Sequence, residues 1–164
     1  MTVAGIDADT KSIQLVVFGD GAITVIKRWQ AKGRRAEDRI QQLAALLEDK
    51  DWAAVWKDVA WVYVESPVLA QFRGKTNAKA LRDQSQVLGV IRSFLWRNGL
   101  DHTLVDNTVW KKGLLGNGHA SKEEIAAYAH KMLGVPTDQP QDACDAACIA
   151  AWGYNNLISK GDTN

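Results

Sequence analysis

The sequence predicts an α/β fold, a mixed five-stranded sheet flanked by helices. Three observations predict it: three short apolar or β-branched runs at the N-terminus, two more isolated strand patterns downstream, and helical amphipathic spacing between and after them. Thr2 to Asp7, Ile13 to Phe18 and Ala22 to Trp29 read as antiparallel strands, separated by the polar turn Ala8-Asp9-Thr10-Lys11 and by Gly19-Asp20-Gly21, a hairpin signal. From about Arg35 to Asp49, Ile40, Leu43, Ala44, Leu46 and Leu47 keep a helical spacing. Val59 to Val64 reads as a fully buried strand ending on Glu65, stopped by Pro67. A long helix is expected from about Asn77 to Asn98, closed by Gly99 where a left-handed C-cap is favoured. His102 to Val105 makes a short strand. Ser121 and Glu124 form a capping-box pattern for a helix reaching Leu133, with Gly134 and Pro136 after it. The last helix begins near Gln139 to Gln141 and reaches about Leu157, leaving Ser159 to Asn164 as a frayed tail. This order suggests a sheet whose first, fourth and fifth strands are parallel.

Composition sets the outer limits. A chain of 164 residues with 46% hydrophobic content is expected to form one domain, residues 1–158, around a single core. No stretch approaches the roughly 20 apolar residues that span a bilayer, and the N-terminus enters a strand without a signal-peptide pattern, so a cytoplasmic location and no membrane partner are expected. Cys144 and Cys148 are the only cysteines and fall in an Ala-rich helical pattern, which reads as buried free thiols and excludes a zinc finger. Net charge is only +1, so the distribution of charge matters more than its sum. Arg73, Lys75, Lys79 and Arg82 lie between Glu65 and Asp83 with no acid among them, a candidate phosphate-contacting run.

The acids carry the chemistry. Asp7 and Glu65 each end a strand pattern; if those strands are parallel neighbours, the two carboxylates leave the same sheet edge about 5 Å apart, where open α/β sheets place their sites. Asp142 and Asp145, at i and i+3, share one helix face, so a helix laid over that edge completes a four-carboxylate cup. An ionised carboxylate ending an apolar strand is costly unless paired or metal-bound. Two divalent cations gripped by such a cluster are the apparatus of in-line phosphodiester hydrolysis.

The segments Gly5-Ile6-Asp7, Val64-Glu65 and Gln141-Asp142-Ala143-Cys144-Asp145-Ala146-Ala147 resemble the signature motifs of RuvC-type Holliday junction resolvases, within the RNase H-like superfamily. Gln84 to Gly89 and Trp110-Lys111-Lys112-Gly113-Leu114-Leu115-Gly116-Asn117-Gly118, running into Ser121-Lys122-Glu123, are similar to family segments as well, so the resemblance covers nearly the whole chain. It implies a homodimer that binds a four-way DNA junction and nicks two strands symmetrically with magnesium or manganese, two ions per site. It also implies that Asp7, Glu65, Asp142 and Asp145 are metal ligands, and that Lys111 and Lys122 lie near the scissile phosphate. Lys112, with the Arg73–Arg82 run, is a candidate DNA contact.

The sequence departs from the usual bacterial pattern in two places. Ala8-Asp9-Thr10 replaces the Pro-Gly that normally follows the first acid, and Asp9 reads as a turn residue. After Glu65, Ser66, Pro67, Val68 and Leu69 stand where the family carries a base-stacking aromatic, Phe72 being the nearest, as in a phage-type or divergent member. Gly5-Ile6-Asp7 with Thr10 also resembles the first phosphate loop of actin-like ATPases and sugar kinases, but Asp9 stands where their usual glycine precedes the Thr, and the chain is short for two nucleotide-enclosing lobes. An RNase H-like nuclease on other branched DNA or structured RNA, and a non-catalytic junction binder, are the remaining readings. Of the seven tryptophans, Trp110, beside the lysine pair, is the candidate for base stacking. The helix from Asn77 to Asn98 carries Leu81, Leu88, Ile91, Phe94, Leu95 and Trp96, more apolar residues than one stripe against the sheet requires, so part of it is expected at the dimer interface.

Overall fold

Alternating apolar runs linked by tight turns build the first half of the sheet. In the computed structural model, which describes residues 1–49, 53–67, 71–72, 75–76 and 78–161 (backbone alone at 53, 71–72, 75–76 and 160–161), β1 (Thr2–Ala8), β2 (Ser12–Gly19) and β3 (Ala22–Gln30) form an antiparallel meander. Asp20 (φ 51°) and Gly21 (φ 82°) both take the left-handed conformation that a two-residue type I′ hairpin requires. The β1–β2 turn is held by Asp9, whose carboxylate accepts from the backbone N–H of Lys11 (2.6 Å) and Ser12 (2.8 Å). Asp9 is thus a turn residue, as its sequence context predicts.

The chain continues through α1 (Ala36–Leu47), the single turn α2 (Ala53–Trp56), β4 (Val59–Glu65), a two-residue pair β5 (Gln71–Phe72) and β6 (Lys75–Thr76), α3 (Ala78–Arg97) and β7 (His102–Val105). Three helices follow: α4 (Asn107–Leu115), α5 (Lys122–Met132) and α6 (Gln141–Gly161). The strand order is β3-β2-β1-β4-β7, with β1, β4 and β7 parallel as expected. Strand alternation divides the interior. Ile6, Ile13, Leu15 and Val64 meet Leu43, Leu47, Ile91 and Leu95 of α1 and α3 on one face. Val3, Val16 and Tyr63 meet Trp110, Ile125, Ala146 and Ile149 of α4, α5 and α6 on the other. Asp7 follows Val3 and Gly5 in the alternation, and Glu65 follows Tyr63, so both acids emerge on the α6 face.

Several elements differ from the sequence expectation. The α4 helix was not foreseen, because Lys111-Lys112-Gly113 interrupts its apolar pattern; Gly113 is there for packing, since a Cβ would lie 2.4 Å from the Trp152 indole nitrogen. The short α2 and the β5–β6 pair leave no sequence pattern of their own, and β4 is buried only from Val62 to Val64, with Ala60 exposed and Val59 and Trp61 half-buried, so the expectation of a fully buried strand is not met. The last helix runs to Gly161 instead of fraying after Leu157, with Tyr154 and Leu157 packed against the core. The start of the long helix at Asn77 and the chain end at 162–164 lie outside the described residues. Most of the apolar surplus on α3 is covered within one chain: Ile91, Phe94 and Leu95 are buried, Leu81 and Leu88 half-buried, and of the six only Trp96 is strongly exposed, at 63%.

Backbone meets backbone where α6 packs on β1. A Cβ at Gly5 would stand 2.2 Å from the Ala146 carbonyl oxygen and 2.5 Å from the Ala150 backbone nitrogen. Both neighbours are backbone and cannot rotate away. Gly5→Ala is therefore expected to destabilise the protein by about 2–3 kcal/mol in urea or thermal unfolding. Gly89→Ala, on α3 with open space at the added Cβ, should stabilise it by about 0.5–1 kcal/mol. Equal responses would show that the Gly5 contact does not constrain the fold.

Candidate active site

The parallel pairing of β1 with β4, in register at Ile6 and Val64, brings the next residues of each strand, Asp7 and Glu65, to one sheet edge. The first turn of α6 then crosses that edge and adds Asp142 and Asp145 from one helix face. Ligand oxygens of Asp7, Asp142 and Asp145 all lie within 4.8 Å of one another. Glu65 stands beside this triad, near enough to Asp7 for each carboxyl to shift the other's pKa. The arrangement is thus a compact three-carboxylate group with the fourth acid on its flank, a modification of the expected four-acid cup. Hard carboxylate oxygens in this number fit magnesium or manganese, not a soft-ligand metal.

Electrostatics describe the same cluster from another side. Burial, followed by repulsion from Glu65, Asp145 and Asp142, holds the Asp7 pKa well above the ordinary carboxylate range. Burial and the Asp145 charge push Glu65 up to about 7, against the opposing pull of Lys111 and of the neighbouring Asp7 and Trp110 side chains. Burial also raises Asp145, and a hydrogen bond from Gln141 (Nε2 to Oδ1, 3.2 Å) with the Lys111 and Lys122 charges moderates the rise. Burial and mutual repulsion favour the protonated forms of these carboxyls in the metal-free cluster, and a cation among them would favour the ionised forms.

The predicted cations distribute unevenly. Lys111, half-buried on α4, acts on both Glu65 and Asp145. Lys122 is exposed at the first position of α5, its helix start fixed by a complete capping box: the Ser121 N–H donates to Glu124 (2.7 Å) and the Glu124 N–H to Ser121 Oγ (3.2 Å). Lys112 points to an outer hollow with Thr108, Asn117, His119, Trp152 and Asn156. Lys79 is exposed and lines a hollow with Asp9, Thr10, Asp83 and Gln84. Arg82 is tied to the buried Asp83 at 3.0 Å, which offsets much of its charge. Arg73 lies outside the described residues, as do the side chains of Lys75 and Phe72. Trp110 cannot stack on a base in this structure, because it is fully buried. Gln141, four residues before Asp145, was not singled out from sequence, although i, i+4 helical spacing was the available signal. Cys144 and Cys148 are buried free thiols, as expected.

No protein-family model matches the chain. In sequence it is 34% identical over 80 residues to the crossover junction endodeoxyribonuclease RuvC of Synechocystis sp., a match spanning 48% of this chain and 47% of that protein, about half the length of the curated relative. In structure it is similar to RuvC of Thermus thermophilus, with a TM-score of 0.73 and 23% identity over 97% of each chain. It is similar also to T. thermophilus RuvC in complex with Holliday junction substrate, with a TM-score of 0.75 and 21% identity over 97% of this chain and 96% of that one. A yeast mitochondrial Holliday junction resolvase shares the fold more distantly, with a TM-score of 0.55 and 14% identity over 96% and 83% of the two chains. The chain thus has the RuvC-type, RNase H-like fold, and is RuvC-like in sequence over the matched half.

The raised carboxyls make stability depend on pH in a definite direction. Unfolded, these groups ionise in the ordinary range; folded, they keep their protons to higher pH, Glu65 to about 7. Between roughly pH 4 and 7 the folded state binds more protons than the unfolded one, so stability falls as pH rises through that window. Metal-free protein is expected to melt at higher temperature at pH 5 than at pH 7.5. Asp7→Asn should flatten that slope, and manganese should raise the melting temperature more at pH 7.5 than at pH 5. A manganese effect larger at pH 5 would contradict this account of the cluster.

Proposed function

We propose that this chain is a structure-specific endodeoxyribonuclease that resolves four-way DNA junctions by paired, metal-dependent hydrolysis. The observation that carries the reading is the triad of Asp7, Asp142 and Asp145 with ligand oxygens within 4.8 Å, flanked by Glu65, on a RuvC-type fold. A module that only bound DNA would gain nothing from buried like charges facing a polyanion. Asp7, Asp142 and Asp145 hold one cation, and Glu65, through its contact with Asp7, shares in holding a second. Bound magnesium or manganese ions supply water activation and charge neutralisation at the leaving 3′ oxygen. Lys111, acting on Glu65 and Asp145, and Lys122, at the cluster's open side, offset the negative charge that develops on the phosphorus centre. Arg73, Lys75, Lys79, Arg82 and Lys112 contact backbone phosphates away from the reacting bond.

The test uses synthetic four-way junction, replication-fork, duplex and RNA/DNA hybrid substrates, each with magnesium and with chelator. Junction cleavage that needs the metal is expected. Asp7→Asn, Glu65→Gln and Asp145→Asn should each lower cleavage by more than about a hundredfold, beyond the loss of an outer-sphere partner, while junction binding persists or tightens. Cleavage of forks or hybrids in preference to junctions would move the reading to another branched-DNA or structured-RNA nuclease; binding without cleavage would leave only an architectural role.

Replacing Arg73, Lys75 and Lys79 with Ala should weaken junction binding and flatten its salt dependence, each lost phosphate contact lowering the slope of log K against log salt by about 0.9. An unchanged slope would return these residues to an ordinary solvated surface. Matched nicks on a junction of two-fold symmetry require two sites related by the same axis, which supports a two-fold dimer. The exposed Trp96, with Arg92 over its ring at 4.5 Å, and the exposed Leu104 are the apolar surface offered for it. Sedimentation equilibrium should show a dimer at micromolar concentration, and a monomer making single nicks would exclude the paired mechanism.

A further inference from the structure

The Trp110 indole presents an unsolved hydrogen-bond account. Its side chain is 0% exposed, and its Nε1–H meets no acceptor in good geometry among the described residues. A buried donor left without an acceptor calls for an explanation, since solvent cannot satisfy it. The topology supplies one. Glu65 pairs with Val105 at the end of β7, and the Ser66 N–H donates to the Val105 carbonyl (2.9 Å). α4 begins just beyond, with the Asp106 carbonyl accepting from the Trp110 N–H (3.4 Å). Trp110 is therefore one helical turn past the strand end that flanks Glu65. The Lys111 ammonium rests 5.4 Å from the Trp110 ring centroid, so the same ring also restrains the lysine that acts on Glu65 and Asp145.

We propose that Trp110 is a positioning residue: its indole N–H holds one oxygen of the Glu65 carboxylate, leaving the other turned toward the cation. Hydrogen-bond donors behind metal-binding carboxylates orient the ligand, and such contacts are often long in the unloaded site and tighten when the ligand group is fully charged. The buried, unpartnered indole N–H lies in the neighbourhood of the Glu65 carboxylate, where a modest tightening completes the contact. Of the other buried side-chain atoms without partners among the described residues, Gln14 Oε1 is an acceptor, and Trp56 Nε1 and Arg92 Nε belong to side chains outside the acidic cluster. A fully buried Trp excludes the base-stacking role that its place beside two lysines suggests.

This inference rests on the reading of Glu65 as a metal ligand, and the experiment separates the two. Manganese affinity is measured by calorimetry on the DNA-free protein for wild type, Trp110→Phe, Glu65→Gln and the double variant. Phe keeps a buried aromatic face for Lys111 and removes the N–H. Trp110→Phe should weaken manganese binding about tenfold, Glu65→Gln should weaken it too, and the double variant should bind no worse than Glu65→Gln alone. Wild-type affinity in Trp110→Phe, or the same fractional loss in the Glu65→Gln background, would overturn the proposal, the latter by showing general loosening of the site. Unchanged affinity in Glu65→Gln would remove Glu65 from the ligand set, and the proposal with it. If Trp110→Phe does not fold, 3-benzothienylalanine at position 110, equal in shape and lacking the N–H, replaces it with the same expected losses.

Discussion

The backbone of α6 rests directly on β1 at Gly5, where a side chain would enter the Ala146 carbonyl and the Ala150 nitrogen. That approach sets the height of Asp142 and Asp145 above Asp7, because all three are carried on the two elements in contact. Small residues make it feasible: Ala143, Ala146, Ala147, Ala150 and Ala151 are all buried on α6. A second close approach, Gly153 against the Tyr63 ring, fixes the same helix to β4, the strand that ends on Glu65. Steric fit at two glycines thus determines how near the carboxylates come.

The resulting cluster works against the stability of the metal-free fold. Asp7, Glu65 and Asp145 are raised by burial and by one another, and the favourable contacts are few: Lys111 between Glu65 and Asp145, Lys122 near Asp145, and the Gln141 amide on Asp145. Local rules of polar satisfaction are broken here while the surrounding core obeys them, a pattern expected where function sets the residues. Divalent cations held between these oxygens would offset the repulsion. An actin-like phosphate loop is a poor description of the same residues, since Asp9 is consumed in closing the β1–β2 turn.

Charge for a nucleic-acid partner is local. The chain is nearly neutral overall, Arg82 is neutralised in part by the buried Asp83, and the cations that act on the acids come from α4 and the start of α5. On the proposed reading, attraction to phosphate at the site would depend on Lys111, Lys122 and bound metal. The tryptophans contribute little by stacking on this face: Trp110 is sealed, Trp29 and Trp56 are buried, and the strongly exposed Trp96 stands on α3 with Arg92 and His102.

Read alone, the sequence carries the parallel direction of the strands that end on Asp7 and Glu65, a hairpin at Gly19-Asp20-Gly21, the capping box at Ser121 and the i, i+3 placement of Asp142 and Asp145. Each of these is a local property: period-two alternation, turn chemistry and helical spacing act within a few residues and leave a readable pattern. α4 escaped that reading because Gly113, chosen for contact with Trp152, breaks the helical signal within the segment itself. The overlong apolar set on α3 was legible, but its destination was not, since α1 and the sheet absorb most of it within one chain. Likewise it is packing between distant elements that buries Trp110 completely and closes three acids into a triad with the fourth at its side. Those outcomes depend on distances between elements far apart in the chain, which side-chain volume at the packed faces sets and which no local pattern encodes.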